Sequence, residues 1–473
     1  MLFNSLSFLV FMTVVLALYS VLKHRAQNHL LLVASYFFYG FWDWRFMGLL
    51  LGSTVLVYLC TRAMGRTEDA AVRKRWMLLA VGVLLGVLGL FKYLGFFAES
   101  FEALLALFGM KLGWVGLNLV LPVGISFYTF QAIGYVLDVH RGKLKPVESF
   151  TDCALYVSFF PLLLSGPIER ATRLLPQIAA ARVLTLEGFT RGAFLVLLGL
   201  FKKIVIADGL SETIDPVFSG QGGFSGADMA AASYLYVLQI YCDFSGYTDV
   251  ARGVARMLGF DVIKNFMTPF YAKSPSEYWT RWHISLSSWV KDYIYLPLAL
   301  HYLRKGDSKL NEARPHLYAM LLMGLWHGAA WTYILWGLYH GLMLILWSLV
   351  KWPKALKPLR KRIPGAFWIV LYFHVTLVSL LIFRATSVEQ IGDFLGAIAH
   401  IGALDFHLKR PTFATLLAIP LFLVLDHLAY RHESERFYLR WPPMVRGALY
   451  ATLFTLLLMG LSNASTQFIY FQF

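Results

Sequence analysis

The chain has 473 residues, 58% of them hydrophobic and only 15% charged. Soluble domains carry about 25% charged residues, so two or three soluble domains are excluded in favour of one integral-membrane domain spanning 1–473. The net charge of +15 at pH 7 is read as Lys and Arg collected in cytoplasmic loops. No basic patch joins a recognisable reader motif, so nucleic acid is not expected as a partner.

Taken in chain order, the apolar runs predict helices at roughly 4–22, 30–41, 44–61, 76–95, 117–137, 151–166, 190–208, 228–242, 285–300, 316–333, 334–350, 366–384, 412–430 and 445–462. Helices are the default because a spanning segment must satisfy its own backbone. The first run lacks a basic start and a cleavage site, and is read as a retained helix. The second is short and is read as half of a hairpin turning at Trp42-Asp43-Trp44. Residues 211–227 are rich in Gly and Ser and are read as a loop.

Four basic clusters set the orientation. They are Lys23 with Arg25; Arg62, Arg66, Arg73, Lys74 and Arg75; Arg141, Lys143 and Lys145; and Lys351, Lys354, Lys357, Arg360, Lys361 and Arg362. All four are cytoplasmic if 30–61 is a hairpin, which puts the amino terminus and Asp43 outside. Residues 258–315 mix charge, aromatics and prolines, and are read as helices at the cytoplasmic face.

Two motifs put a histidine beside tryptophan. In Ser274-Pro275-Ser276-Glu277-Tyr278-Trp279-Thr280-Arg281-Trp282-His283 the first residues cap a helix. On it, Trp279 and His283 share a face by i, i+4 spacing. The competing reading is an interfacial tryptophan belt. In Gly324-Leu325-Trp326-His327-Gly328 the histidine lies inside an apolar run, where an imidazole can take and return a proton near neutral pH. The competing reading is a core histidine bonded to a carbonyl. His340 is thirteen residues on, about 20 Å along a continuous helix, and shares a site with His327 only if the helix breaks. Asp243, Ser245 and Asp249 sit near an apolar run and need partners, for which Arg252 and Arg281 are candidates; structural pairing is the favoured role. Cys60, Cys153 and Cys242 form no CxxC pair, and no HExxH exists, so no metal site is expected.

These residues resemble a known family. Tyr278 to Ser287, then Asp292-Tyr293-Ile294-Tyr295-Leu296-Pro297-Leu298, and Gly324 to Trp331 with Trp336-Gly337 and His340-Gly341 resemble the bacterial branch of the membrane-bound O-acyltransferases (MBOAT) that includes alginate O-acetyltransferase. Leu121 to Phe130, Ser165 to Arg170, Phe201-Lys202-Lys203 and the ending Phe468 to Phe473 extend the likeness over nearly the whole chain. The resemblance implies an all-α polytopic fold of about 11–14 transmembrane or re-entrant helices around a central tunnel. It implies His327 as the catalytic histidine, with His283 as its second signature residue.

The activity implied is transfer of an acetyl group from cytosolic acetyl-CoA, across a bacterial inner membrane, to an exopolysaccharide such as alginate or cellulose, or to a periplasmic acetyltransferase partner. Trp279, Trp282, Trp326 and Arg281 would contact the donor, and Arg304 and Lys305 its phosphates. Asp243, Ser245 and His340 would support the site. No cofactor beyond the donor is expected, and membrane lipids surround the chain. Peptidoglycan or lipid O-acylation is the alternative acceptor chemistry. A transporter or flippase is the alternative class, distinguished by inverted repeats. One departure is Ala299-Leu300-His301-Tyr302-Leu303-Arg304-Lys305-Gly306, where the family often has a glycine-rich turn.

Overall fold

The computed structural model describes residues 1–110, 119–220, 222–306, 308–349, 363–402 and 405–461. The fourth basic cluster, the ending Phe468 to Phe473 and residues 117–118 of the helix expected over 117–137 lie outside the described residues, and that helix begins only at Ile125, after Gly124 takes a left-handed backbone. Among the described residues all regular structure is helical. The chain is an all-α polytopic membrane protein. Five helical segments among the described residues are long and apolar enough to cross a membrane: His24–Gly65, Ala70–Lys92, Gly365–Arg384, Phe413–Arg431 and Pro443–Gly460.

The helices form two compact units, Met1–Ala193 with Ala251–Ile263, and Phe194–Val250 with Lys264–Phe473. The first holds α1 (Leu6–Val21), α2 (His24–Asp43), α3 (Met47–Gly65), α4 (Ala70–Lys92), α5 (Leu94–Ala106), α6 (Ile125–His140), α7 (Phe150–Ser158), α8 (Phe160–Leu163) and α9 (Ala171–Ala179). Helix α1 is apolar all round. It buries Phe8, Phe11 and Val15 and leaves Leu9, Val10 and Val14 exposed, which is the pattern of a helix facing hydrocarbon.

The expected hairpin is present. Helix α2 ends at Asp43, whose backbone is extended and whose carboxylate caps the following turn. Both far ends then return to one place. Asn28 of α2 donates to Asp152 (3.1 Å), while Tyr58 of α3 donates to the Glu148 carbonyl (2.8 Å). Arg73 of α4 reaches the carbonyl of Val139 (3.0 Å) at the end of α6. The first three basic clusters therefore gather at one end of this unit, and Asp43 lies at the other end of α2. With Cys60, Cys153 and Cys242, all buried, removed, an Arg66→Cys variant is expected to react with an impermeant maleimide only from the cytoplasmic side. A Trp44→Cys variant should react only from the opposite side. The reverse pattern overturns the orientation.

Two helices link the units in sequence, α10 (Leu186–Leu200) and α12 (Gly226–Met257). After α10 the chain continues as a π-helix over Phe201–Asp208 and then as α11 (Gly209–Phe218). The loop expected over 211–227 is thus helical up to Phe218; Pro216 falls inside that helix, and the glycines cluster only after it. The second unit adds α13 (Pro275–Arg281), α14 (Ile284–Val290), α15 (Leu296–Leu303), α16 (Lys309–His327), α17 (Trp331–Leu349), α18 (Gly365–Arg384), α19 (Val388–Ala399), α20 (Phe413–Arg431) and α21 (Pro443–Gly460). Helix α18 is polar inward, burying Tyr372, Thr376 and Ser379 while exposing Phe367, Val370 and Leu371.

Candidate functional site

The site is built where two helices break. Ser274 accepts a hydrogen bond from the Glu277 amide (3.1 Å) and Pro275 opens α13, as the cap motif requires. The helix stops at Arg281, and His283 takes a left-handed backbone, φ 42° and ψ 53°, before α14 begins. The expected shared face of Trp279 and His283 is therefore wrong. Their i, i+4 spacing has no meaning across a break. Asn265 anchors the break instead: its carbonyl accepts from the Ile284 amide (2.9 Å) and its side chain from the Ser285 amide (3.1 Å). The left-handed conformation costs most side chains about 1–2 kcal/mol, so packing must hold it.

That packing is aromatic. The His283 ring lies 4.7 Å from Phe244, edge-on, and 6.0 Å from Trp326. It is fully buried. His283 stands outside the five apolar segments, and its burial pushes the imidazole down to about 3. It is therefore neutral at physiological pH, able to offer one N–H and one lone pair but no positive charge.

The second break follows His327. This residue is the last of α16, and Gly328 leaves the helix with extended backbone. The chain turns and returns as α17. The two helices pack closely at Gly324 and Gly337, where an added Cβ would strike the carbonyl oxygens of Tyr333 and Met320. His327 is 4% exposed and boxed by Trp326 (5.0 Å), Trp336 (4.9 Å) and Phe383 of α18 (5.2 Å). The His283 and His327 rings stand 6.4 Å apart.

The hairpin also brings back His340. The continuous helix that would have separated it from His327 breaks after His327. Trp336 touches both rings, 4.9 Å from His327 and 4.7 Å from His340. His340 shares a hydrogen bond with Ser379 (2.9 Å) and lies 5.0 Å from Trp279.

Other expected residues divide. Trp326 joins the two histidines. Trp282 is core, set against Phe266 (4.9 Å), Tyr278 (5.8 Å) and Phe270 (6.0 Å). Arg281 is engaged by Glu277 (2.8 Å) and the Thr268 hydroxyl (3.2 Å), a role in holding the break. Arg304 and Lys305 are exposed at the end of α15. They precede the nineteen residues of α16, a rise of about 28 Å, and do not join the histidines. Ala299 to Leu303 belong to α15 and are helical.

Asp243 and Asp249 find lysines rather than Arg281. Lys203 lies 2.6 Å from Asp243 and 2.7 Å from Asp208, and Lys202 lies 2.7 Å from Asp249. The π-helix presents both consecutive lysines to these buried carboxylates. Asp243 thereby anchors the turn of α12 that carries Phe244 against His283. Ser245 is buried beside it. Phe244, Phe383 and Ser379 are the site residues that sequence reasoning missed. Among the described residues no three His, Cys, Asp or Glu side chains group as a metal site.

A profile of the membrane-bound O-acyltransferase family matches residues 147–383, a stretch containing both histidine motifs. The chain belongs to that family. It is a multi-pass membrane O-acyltransferase. It is 36% identical to a Pseudomonas putida protein named probable alginate O-acetylase, over the full length of both chains. It is 32% identical to a peptidoglycan O-acetyltransferase of Helicobacter pylori, over 87% of this chain and 82% of the relative. A teichoic acid D-alanyltransferase of Bacillus subtilis is 30% identical over 56% of this chain and 69% of its own length. All three names describe acyl transfer, so the transporter reading falls.

Proposed function

We propose that the chain moves an acetyl group from cytosolic acetyl-CoA, across a bacterial inner membrane, to an acceptor outside. The acceptor is an exopolysaccharide such as alginate or cellulose, or a periplasmic acetyltransferase that passes the group on. The observation that carries this reading is the pair of buried imidazoles 6.4 Å apart inside one aromatic enclosure. Full-length similarity to the Pseudomonas protein supports the choice of polymer.

In the proposed step His327 takes the proton of the acceptor hydroxyl. The hydroxyl oxygen bonds to the thioester carbonyl carbon, and the carbon–sulfur bond then breaks. The thiolate leaves with the electron pair and takes the proton back from His327. His283, neutral, donates its N–H to the carbonyl oxygen as negative charge develops there. Trp326 and Trp279 contact the donor. Arg304 and Lys305, exposed at the end of α15, are assigned to the donor's phosphates in this reading. No cofactor beyond the donor is invoked.

The test is acetyl transfer by purified protein in lipid nanodiscs, supplied with acetyl-CoA, any periplasmic partner, and alginate, cellulose or peptidoglycan fragments. Free thiol and acetyl ester are measured together. Thiol release that depends on alginate or cellulose is expected. Ester formed only on peptidoglycan favours the alternative acceptor that the Helicobacter relative suggests. No thiol release with any acceptor removes acetyl-CoA as the donor.

A further inference from the structure

Four buried polar atoms in one aromatic cluster have no hydrogen-bond partner among the described residues: Nδ1 of His340 itself, Nε1 of Trp279 and of Trp336, which pack on its ring, and the hydroxyl of Tyr372. They come from α13, α17 and α18 of the second unit. Trp336, His340 and Tyr372 are 3%, 1% and 6% exposed. The rings form one cluster. Trp279 and Trp336 stand 5.8 Å apart and each packs on His340. Tyr278 stacks on His340 at 6.1 Å and meets Tyr372 edge-on at 5.9 Å. Buried polar atoms are normally satisfied, by protein, water or ligand. Several left open together, one indole from His327, describe a complementary group.

The chemistry of the four atoms narrows that group. An indole N–H only donates, so two indoles require an acceptor oxygen. Nδ1 of His340 and the tyrosine hydroxyl can each accept, so an N–H is matched as well. No cation stands among these side chains, which argues against phosphate. An alkyl chain would leave all four atoms unmet. A secondary amide carries the required oxygen and N–H side by side. We infer that Trp279, Trp336, His340 and Tyr372 form a subsite for an amide of the acyl donor's pantetheine arm, next to the thioester at His327. This rests on the acetyl-CoA reading above and deepens it.

The test compares two small acetyl donors of similar length by release of free thiol: S-acetyl-N-acetylcysteamine, which carries the amide, and S-pentyl thioacetate, which does not. The wild type should prefer the first in kcat/KM by about tenfold, near the worth of one buried hydrogen bond. Trp279→Phe, Trp336→Phe and Tyr372→Phe keep the rings and remove one polar atom each. Each should bring the preference toward one, through KM for the amide donor. A full preference retained in all three overturns the subsite. So does equal use of both donors by a wild type that turns over acetyl-CoA, an outcome that needs no variant to fold and leaves the donor reading standing. A wild type inert toward acetyl-CoA removes the donor reading and the subsite with it.

Discussion

Alanine in place of His327 is expected to abolish acetyl transfer while the protein still accumulates in the membrane. Loss of a positioned general base costs about 10²–10⁴-fold. The enclosure sharpens the expectation. Trp326, Trp336 and Phe383 pack around the imidazole and offer no other base to replace it. The same packing means that alanine leaves a void, which in a core can cost a few kcal/mol. His327→Gln therefore serves as the companion variant, since it fills more of the space yet is no base near neutral pH. Both variants should lose thiol release from acetyl-CoA, with the glutamine form extracted and purified at near wild-type yield. Wild-type rates in either would remove His327 from the chemistry.

His283→Ala should lower thioester cleavage by about two orders of magnitude, since removing one preorganised donor to a developing oxyanion costs roughly 2.7–4 kcal/mol. Backbone strain has to be separated from chemistry here. His283 sits at φ 42°, a conformation that asparagine tolerates better than alanine. Asparagine also keeps an N–H donor. His283→Asn should thus recover part of the lost rate, whereas a purely structural role would show as His283→Ala losing yield while the protein that does fold keeps wild-type turnover.

The pH dependence gives an independent reading. Burial lowers the folded-state value of His283 from 6.5 to about 3, so the neutral form persists throughout the assay range. The acid limb of kcat/KM should then be the same in wild type and His283→Asn. The sign for stability is opposite to that of a paired histidine. Its contribution is present above pH 6.5 and is lost as pH falls toward 3, because the unfolded chain takes up the proton first. A shift of the acid limb in His283→Asn would mean that His283 titrates during turnover.

Much of the site was legible in the linear order. Ser274 and Pro275 announced the start of α13 because capping is a local matter, settled within one turn. The hairpin at Asp43 was legible from a short apolar run and the placement of basic residues. The error over 211–227 has the same root, since a Gly- and Ser-rich composition was extended back over residues that pack as a helix. The lysine partners of Asp243 and Asp249 lay forty or more positions upstream. Helical spacing relates residues only within a few turns, so nothing local linked them.

By itself the sequence determined the class of protein and the chemistry it holds. Runs of apolar residues near the length of a bilayer require helices, because lipid cannot satisfy a bare backbone. Imidazoles set among tryptophans in such a chain point to a candidate site. Only the tertiary structure decided which imidazoles meet. Periodicity assumes an unbroken helix, and the helices end at Arg281 and at His327. The first break is held by Asn265 and aromatic packing from other helices. The second is held by the close approach of α16 and α17 at Gly324 and Gly337. Those contacts turn His283 toward His327 and return Trp336, with His340 one turn further along α17, to His327, since the energy that holds a left-handed residue or a tight hairpin comes from residues far away in the chain.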